Sequence, residues 1–266
     1  MRSNLHTHSN FCDGKNSCEE IVLSAIEKDF SSIGFSGHGY TDFDLRYCIT
    51  DVDGYIDEVN RLREKYKNQI QVYLGVEEDV YCMAKRERYD YIIGSCHYYF
   101  TNGKHYPIDS SPAHFKKCLE AYGYNVKRMT EDYYSSFCSY IKSRKPDIIG
   151  HFDLITKFDE MGESLFLGNG EYIKISEKYT NSVADLGCLF EVNTGAISRG
   201  YRHAPYPAEN LLHIIKKRGG GVILSSDSHS IETLDFGFDD ALTMLKEIGF
   251  THVYNLLDGK FVKEEI

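Results

Sequence analysis

The sequence lacks any long hydrophobic run, since no apolar stretch in its 266 residues approaches the roughly 20 residues that cross a bilayer. The amino terminus has no apolar signal region and leads directly into His6 and His8. These two absences argue against a helical membrane protein, and they predict a cytoplasmic protein without a membrane partner.

The sequence also lacks a C-x-x-C pair and an excess of basic residues. Its eight cysteines are scattered, which favours reduced, buried thiols over a disulfide framework or a zinc knuckle. With 30 Lys and Arg against 40 Asp and Glu, the formal net charge is −10, which argues against nucleic acid as a partner. A small phosphorylated substrate is still compatible with this charge, because divalent cations in a cleft reverse the local field.

No fixed-period repeat, low-complexity tract or linker divides the chain, so we expect one domain over residues 1–266. Short apolar runs alternate with helical patterns, and this βα repeat predicts an α/β fold with a parallel sheet. The predicted strands are Ser3–Leu5, Ile33–Ser36, Ile70–Val76, Tyr91–Ser95, Asp147–Gly150, Cys188–Val192 and Gly221–Ser226. The predicted helices are one opened by a capping box at Ser17 and Glu20, then Val52–Tyr66, much of Ser111–Lys145 with a break near Gly123, Glu171–Leu186, Ala208–Arg218 and Asp239–Ile248.

A histidine or an acidic residue lies at or near the carboxyl end of every predicted strand. Packing does not explain this placement, because the strands of a closed β/α barrel need apolar residues, whereas groups at the strand ends meet at one mouth, where such barrels carry their chemistry. Histidine, Asp and Glu are ligands for hard to borderline metal ions. The pattern therefore predicts a metal-dependent enzyme. The residues concerned are His6, His8, His38, Glu77, His97, His151, Glu191, Asp227 and His229.

Two pairs of candidate ligands are each separated by one residue. Side chains two positions apart on a strand point the same way, so His6 and His8 can hold one metal ion. Asp227 and His229 repeat this spacing after the last predicted strand, which barrel closure makes a neighbour of the first. Asp13 follows the first pair in an Asp-Gly sequence, which is compatible with a simple turn, although we favour a ligand.

His38, His97 and His151 follow glycine-containing segments at the ends of three further strands. Any one of them is as compatible with a structural histidine as with a ligand, but three in the same topological position indicate ligands. Glu77 ends the third strand, and its two carboxylate oxygens could bridge two cations. Glu78 follows it directly, and alternation places Glu78 on the opposite face of the strand.

Two arginines follow the sixth strand, and a long connection follows the fourth. Arg199 is predicted to bind phosphate in preference to Arg202, because a guanidinium at this mouth can hold phosphoryl oxygens in a bidentate way. The connection Tyr98–Pro146 begins with the aromatic-rich segment Tyr98–His105, which is typical of a substrate lid. Four further histidines fall in loops or predicted helices away from the strand ends and are expected at the surface or in the core: His105, His114, His213 and His252.

These motifs together resemble the polymerase and histidinol phosphatase (PHP) family over nearly the whole chain. They are H-x-H followed by Asp-Gly, an isolated G-H, then G-x-E, G-S-x-H, G-H-x-D-L-I and S-D-x-H. Gly150–Ile155 with Lys157, and Glu191–Gly195 with Arg199, resemble the histidinol-phosphatase branch of that family. The resemblance implies a distorted seven-stranded, TIM-like (β/α)7 barrel that hydrolyses phosphate esters. It also implies a trinuclear site with three divalent metal ions, which could be Zn, Mn or Fe.

Carried over residue by residue, the resemblance implies three sets of ligands. The first ion would be held by His6, His8, Glu77 and Asp227. Glu77 would bridge to a second ion held by His97 and His151, and Asp13, His38 and His229 would hold the third. Asp227, Glu77 and Arg199 are expected to be the catalytic residues.

The substrate that this branch implies is L-histidinol phosphate. We expect Arg199 to bind its phosphate, Asp42 to pair with its ammonium group, and Tyr98 and Asn193 to contact it. A solvated loop acid is the alternative interpretation of Asp42. Asn4 stands where family members often carry Asp, so a carboxylate that supports the site is either missing or replaced.

The residues leave two other functions open. The first is hydrolysis of another small phosphate ester, such as a nucleotide or a sugar phosphate, because only the substrate loops distinguish such enzymes. The second is a non-catalytic, metal-binding or polymerase-associated module, which the complete set of candidate ligands disfavours. The sequence predicts no oligomeric state.

Overall fold

The structure is a computed structural model that describes residues 2–162 and 164–266. In chain order the strands are β1 (Arg2–Asn4), β2 (Phe30–Phe35), β3 (Gln71–Asp79), β4 (Tyr91–Ser95), β5 (Tyr98–Thr101), β6 (Lys104–Pro107), β7 (Ile148–Ile149), β8 (Leu189–Asn193), β9 (Val222–Ser225), β10 (His252–Leu257) and β11 (Lys260–Glu265). The helices are α1 (Cys18–Glu27), α2 (Val52–Tyr66), α3 (Pro112–Ala121), α4 (Val126–Arg144), α5 (Gly170–Val183), α6 (Gly195–Ser198), α7 (Glu209–Lys217) and α8 (Phe238–Ile248).

One sheet of nine strands, in the order β1-β2-β3-β4-β7-β8-β9-β10-β11, forms the centre of the fold. The first seven are the predicted strands, each parallel to its neighbour, so the prediction of a mainly parallel α/β fold is confirmed. The sheet nevertheless has nine strands and not seven, because β10 adds parallel to β9 and β11 returns antiparallel to β10. Asp258 and Gly259 make the turn of that hairpin, and both have a positive φ, as a tight turn of this kind requires.

Two apolar clusters cover the two faces of this sheet. The larger lies between the sheet and the helices. The smaller contains side chains from both ends of the strand order, including Leu5 beside β1 and Leu256 in β10, so the sheet curves around it. Tyr91 fills the middle of this inner cluster, and a Cβ at Gly75 would lie only 2.2 Å from its ring, which explains a glycine inside a buried strand.

Local sequence signals explain where the helices begin and end. Ser17 and Glu20 form the predicted capping box at α1, with the Glu20 amide donating to Ser17 Oγ at 3.3 Å and the Ser17 amide to Glu20 Oε2 at 2.8 Å. The predicted break near Gly123 is confirmed, because Gly123 and Tyr124 both adopt a positive φ between α3 and α4. None of the helices within residues 2–162 and 164–266 combines the length and apolar character needed to cross a membrane.

The segment predicted as a lid loop, Tyr98–His105, is a β-hairpin made by β5 and β6. His105 therefore lies in a strand and not in a loop or helix, because it pairs across the hairpin with Phe100. His252, which was also expected outside the strands, begins β10.

Candidate metal centre

All nine predicted ligands gather at the carboxyl ends of the parallel strands. They fall into four overlapping groups in which the potential ligand atoms lie within 4.8 Å of one another. Backbone contacts at the strand ends bring them together: the His8 amide donates to Ser228 O at 2.8 Å, and the Gly39 amide beside His38 donates to Glu77 O at 2.7 Å. The groups are His8, Asp13, His38 and His229; His6, Glu77 and His151; His6, His8 and Asp227; and His38, Glu77 and His97.

Asp13 reaches the site because its loop returns tightly to the first strand. A Cβ at Gly14 would lie 2.4 Å from His8 O, so only glycine fits there. The Asp13 carboxylate oxygens lie 3.4 Å from His229 Nε2 and 3.7 Å from His38 Nε2. The Asp-Gly sequence is thus a turn, and it also delivers a carboxylate to three histidines.

Glu77 lies at the centre of the site and belongs to two of the groups. It is 1% exposed. Its Oε1 accepts hydrogen bonds from Ser95 Oγ at 2.6 Å and His151 Nε2 at 2.9 Å. Its Oε2 lies 2.9 Å from His38 Nδ1 and 3.3 Å from His6 Nε2. Each oxygen thus faces a different set of imidazoles, as a carboxylate that bridges two cations would.

The ligand sets that the resemblance implied stay a prediction, and the distances between the side chains are compatible with them. His97 Nε2 and His151 Nε2 lie 3.2 and 2.9 Å from the same oxygen, Glu77 Oε1. His8 belongs to two groups, one with His6 and Asp227 and the other with Asp13, His38 and His229.

Buried atoms without hydrogen-bond partners show that these residues fit metal ions. Among the described residues, five imidazole nitrogens in the cluster and Glu77 Oε2 are shielded from solvent and make no hydrogen bond; the nitrogens are His6 Nε2, His8 Nε2, His38 Nδ1, His97 Nδ1 and His151 Nδ1. Buried polar atoms of folded proteins are nearly always paired. Imidazole nitrogens and a carboxylate oxygen that converge without hydrogen bonds are the donor set that Zn²⁺ and similar ions take.

Glu191 is the carboxylate that orients His6, and sequence reasoning noted it only as a strand-end acid. Its Oε1 contacts His6 Nδ1, and its Oε2 accepts from the His151 amide at 2.7 Å. Asn4 instead ties β1 to the loop after β9, donating from Nδ2 to Ser226 Oγ at 2.8 Å and accepting the His6 amide at 3.0 Å. Glu191, from another strand, thus supports the His6 ring, while Asn4 contributes only contacts that hold the backbone in place.

Replacing Glu191 by Gln should weaken metal binding about 10- to 100-fold, because partners of this kind fix the tautomer and basicity of a ligating histidine. Equilibrium titration of the metal-free protein with Zn²⁺ would measure the change. Glu247→Gln, an exposed change on α8, is the control. Unchanged affinity in Glu191→Gln would contradict the supporting role.

Two further acids follow Glu77 and take different roles. Asp79 accepts the His97 amide at 2.8 Å and lies 3.3 Å from His97 Nδ1, so it positions that ring. Glu78 points to the opposite face, as predicted, where Arg144 donates to both its oxygens at 2.6 and 2.9 Å. Because side chains alternate between the two faces of β3, the Asp79 carboxylate faces the site and the Glu78 carboxylate faces the outer core.

The surroundings of the clustered histidines shift their pKa values in opposite directions. Burial, followed by the neighbouring His229 and His38, lowers the pKa of His8 to about 3. Burial would also lower the pKa of His6, but Glu191, Glu77 and Asp227 outweigh it and raise that pKa. Burial opposes ionisation of Glu77, yet the surrounding histidines, His6 first, hold its pKa well below the usual range. The carboxylates are therefore ionised and ready to bind cations.

Arg199 lies in the site and Arg202 does not. Arg199 Nη2 donates to Asp227 Oδ2 at 2.9 Å and Nη1 to Asp227 O at 3.0 Å, and its side chain borders the cavity. Arg202 is 3% exposed and instead donates to Thr156 Oγ1 at 3.0 Å. Asp227 has a φ of 47°, a strained conformation for a non-glycine residue that is common at functional sites.

A cavity of about 510 Å³ opens above the cluster. Three cationic side chains line it in addition to Arg199, and so do two acids that sequence reasoning did not select, Asp44 and Asp109. Lys157 donates to Asp109 O at 2.8 Å. The cations are Lys15, Arg46 and Lys157, and the aromatic lining is Tyr47, Tyr98 and Tyr201. With the acids Asp13, Asp44, Asp109 and Asp227, the cavity wall offers charges of both signs to a ligand.

Two of the predicted substrate contacts do not reach this cavity. Asp42 is exposed, because a hydrogen bond from Thr41 Oγ1 to Asp44 O at 2.9 Å turns the loop so that Asp44 borders the cavity. Asn193 is fully buried, and its side chain donates to Glu191 Oε2 at 2.9 Å and accepts the Gly195 amide at 2.8 Å. Tyr98 does border the cavity, and it donates to Asp44 Oδ2 at 3.1 Å.

Comparisons with known proteins agree in one family. A model of the PHP domain matches residues 4–195. A "Probable histidinol-phosphatase" of Schizosaccharomyces pombe is 28% identical over 282 residues, covering 97% of this chain and 90% of that protein. The histidinol-phosphatase of Bacillus subtilis is 24% identical over 260 residues, covering 88% of this chain and 96% of that protein.

A solved structure shows the same fold. Histidinol phosphate phosphatase from Lactococcus lactis, complexed with Zn, L-histidinol and phosphate, superposes with a TM-score of 0.74 at 20% identity, covering 98% of this chain and 99% of that one. The domain match spans well over half of the sequence, and it confirms the resemblance seen in the motifs. This chain belongs to the PHP domain family.

Proposed function

We propose that this chain is a metal-dependent phosphomonoesterase that hydrolyses L-histidinol phosphate to L-histidinol and phosphate. The observation that carries the proposal is the convergence of nine candidate ligands, with unpaired buried nitrogens, beneath a cavity lined by charged side chains of both signs, Arg199 among them. Relatives that align with nearly the whole chain are named histidinol-phosphatases, and the Lactococcus lactis protein was solved with histidinol and phosphate. This agreement favours histidinol phosphate over other phosphate esters.

Three divalent metal ions are the proposed cofactor. Glu77 would be shared between two of them, and Asp13, His38 and His229, with His8, would hold another. When bound, such ions polarise phosphoryl oxygens and lower the pKa of coordinated water. The proposed ligands are His6, His8, Asp13, His38, Glu77, His97, His151, Asp227 and His229.

Arg199 is proposed to bind the phosphoryl group, and Asp227 is proposed to bind a metal ion beside it. Arg199 can turn its remaining donors toward phosphoryl oxygens and neutralise the charge that grows in the transition state. Burial would raise the pKa of Asp227, but Arg199 first, and then His6, hold it well below the usual range. Asp227 is therefore a carboxylate ligand that Arg199 orients, and a poor proton donor at neutral pH.

The rest of the substrate is proposed to lie against Asp44 and the tyrosines. L-Histidinol offers an ammonium group for an acid and an imidazole that can stack on an aromatic ring. Arg46 donates to both oxygens of Asp44, at 2.8 and 2.7 Å, but the Arg46 side chain is 77% exposed, so water can solvate it when the substrate ammonium takes its place on the carboxylate. The role first assigned to Asp42 thus passes to Asp44.

Changing Asp44 to Asn should lower kcat/KM for histidinol phosphate about 10- to 100-fold, because a charge-assisted contact is lost. Turnover of p-nitrophenyl phosphate should change little, since that ester has no ammonium group. Asp42→Asn, two residues away and exposed, is the matched control and should have no effect on either substrate. An equal loss for both esters in Asp44→Asn would show that Asp44 supports the fold or the metal site.

The proposed function is tested by comparing kcat/KM for histidinol phosphate with that for nucleoside monophosphates and sugar phosphates. The metal-loaded protein should prefer histidinol phosphate clearly. A preference for a nucleotide or a sugar phosphate would overturn the substrate assignment while leaving the phosphoesterase assignment in place.

We also propose that residues 1–266 form one phosphoesterase domain whose seven predicted strands make a distorted barrel. Reciprocal backbone hydrogen bonds between the chain after β1 and the chain after β9 support the closure. They run from the His8 amide to Ser228 O at 2.8 Å and from the Ser228 amide to His6 O at 3.1 Å.

A further inference from the structure

One wall of the cavity is built from two segments outside the main sheet. One is the loop after β2, which contributes Asp44 and Tyr47, and the other is the β5–β6 hairpin, which contributes Tyr98. Tyr47 packs edge-on against the candidate ligand His38, with ring centroids 4.7 Å apart. The geometry of this wall relative to the metal centre therefore depends on how the two segments hold each other.

A stack between Phe43 and His105 is the closest ring contact between the two segments. The ring centroids lie 3.8 Å apart and the planes differ by 9°. On the hairpin side, His105 also contacts Phe100 at 4.8 Å and Tyr81 at 5.1 Å. Phe43 in turn packs edge-on against Tyr98 at 5.0 Å.

His105 borders neither the cavity nor any candidate ligand group. His105 stacks on Phe43, and Phe43 immediately precedes Asp44 in the chain. The hydrogen bond from Tyr98 to Asp44 Oδ2 joins the same two segments at the cavity surface. The ring at position 105 is thus placed to fix Phe43, and through it Asp44 and Tyr98.

We propose that His105 is a positioning residue for substrate specificity: its stack on Phe43 holds the loop after β2 against the hairpin, so that Asp44 and Tyr98 meet the non-phosphate part of the substrate together. This inference rests on the proposed function, because it assigns the wall to histidinol. The role belongs to the aromatic ring and not to a charge. Burial lowers the pKa of His105, against the opposing pull of Asp79 and Asp42, which favours the neutral ring.

His105→Ala should raise KM for histidinol phosphate about 5- to 10-fold, as expected for the loss of a stacked aromatic pair, and should leave kcat nearly unchanged. Its kcat/KM for p-nitrophenyl phosphate and its metal content should stay at the wild-type values. His105→Phe keeps the ring without the nitrogens, and it should restore KM. His213→Ala, the same change on the exposed face of α7, is the control.

The results for the wild type and for the His105 variants separate a failure of the proposed function from a failure of the positioning role. A wild-type protein that does not prefer histidinol phosphate overturns the proposed function itself. A wild-type protein with that preference, combined with an unchanged KM in His105→Ala, overturns the positioning role alone. A loss shared equally by both esters, or a KM that His105→Phe fails to restore, also overturns it, because a stack that acts on specificity predicts neither result.

Discussion

Replacing Glu77 by Gln should abolish most of the activity, with a fall in kcat of about a thousandfold or more, because several kcal/mol of charge stabilisation by the metal ions depends on this carboxylate. The substitution keeps the volume but removes the negative charge that both sets of imidazoles share. Metal content, measured by elemental analysis of the purified protein, should fall together with phosphate release from histidinol phosphate.

Glu78→Gln is the control for this experiment. It makes the same change one residue along β3, where the carboxylate pairs with Arg144 and Tyr140 on the opposite face. We expect it to lower the melting temperature and to keep the metal content of the folded protein. Full metal occupancy and surviving activity in Glu77→Gln would show that the bridging assignment is wrong.

Arg199→Ala should lower kcat/KM about 100- to 1000-fold, because this guanidinium is expected to stabilise charge that develops in the transition state. Both kcat and KM should change, and Arg199→Lys should recover only part of the loss, since an ammonium cannot make the bidentate contact. Elemental analysis should show the metal ions retained, which separates phosphate binding from the contact between Arg199 and Asp227.

Arg202→Ala should lower the stability of the fold and leave the kinetic constants close to those of the wild type. Its guanidinium is buried and lies 3.7 Å from Asp153 and 3.6 Å from Glu160. We expect a lower melting temperature with KM close to that of the wild type. If Arg202→Ala does not fold, Arg202→Lys makes the same comparison. Equal kinetic losses at positions 199 and 202 would contradict the choice of Arg199.

The sequence is sufficient to predict which residues converge, because strand order and strand ends follow from local patterns. Each predicted strand is an apolar run followed by a histidine or an acid, and parallel strands place their carboxyl ends at one edge. Convergence of His6, His38, Glu77 and Asp227 therefore requires only that the runs form one parallel sheet. The capping box at Ser17 and the bounds of α2 are predictable for the same local reason.

Features that depend on long-range contacts are not predictable in this way. Glu191 and Asp79 support His6 and His97 from other strands, and nothing in their own neighbourhood distinguishes them from structural acids. Asp44 faces the cavity and Asp42 does not, in a loop held by contacts such as Thr41 Oγ1 to Asp44 O and Tyr98 to Asp44 Oδ2, the second of which comes from a distant strand. The β10–β11 hairpin is an exception, since the Asp258-Gly259 pair is a local signal that could have predicted it.

The partition of the nine ligands among the ions also lies beyond the sequence. Spacing groups His6 with His8, but the rings of His8 and His229 stack with centroids 4.1 Å apart, so His8 faces two groups at once. Such an assignment depends on side-chain rotamers at the strand ends.

We propose that a centre of three metal ions hydrolyses histidinol phosphate. The most direct measurement is phosphate release from L-histidinol phosphate while metal-free protein is titrated with Mn²⁺ or Zn²⁺. We expect no activity without metal, since the ions would supply the activated water, and a rise that reaches its plateau at about three equivalents, one for each proposed ion. Activity in the metal-free protein, or a plateau at one equivalent, would contradict it.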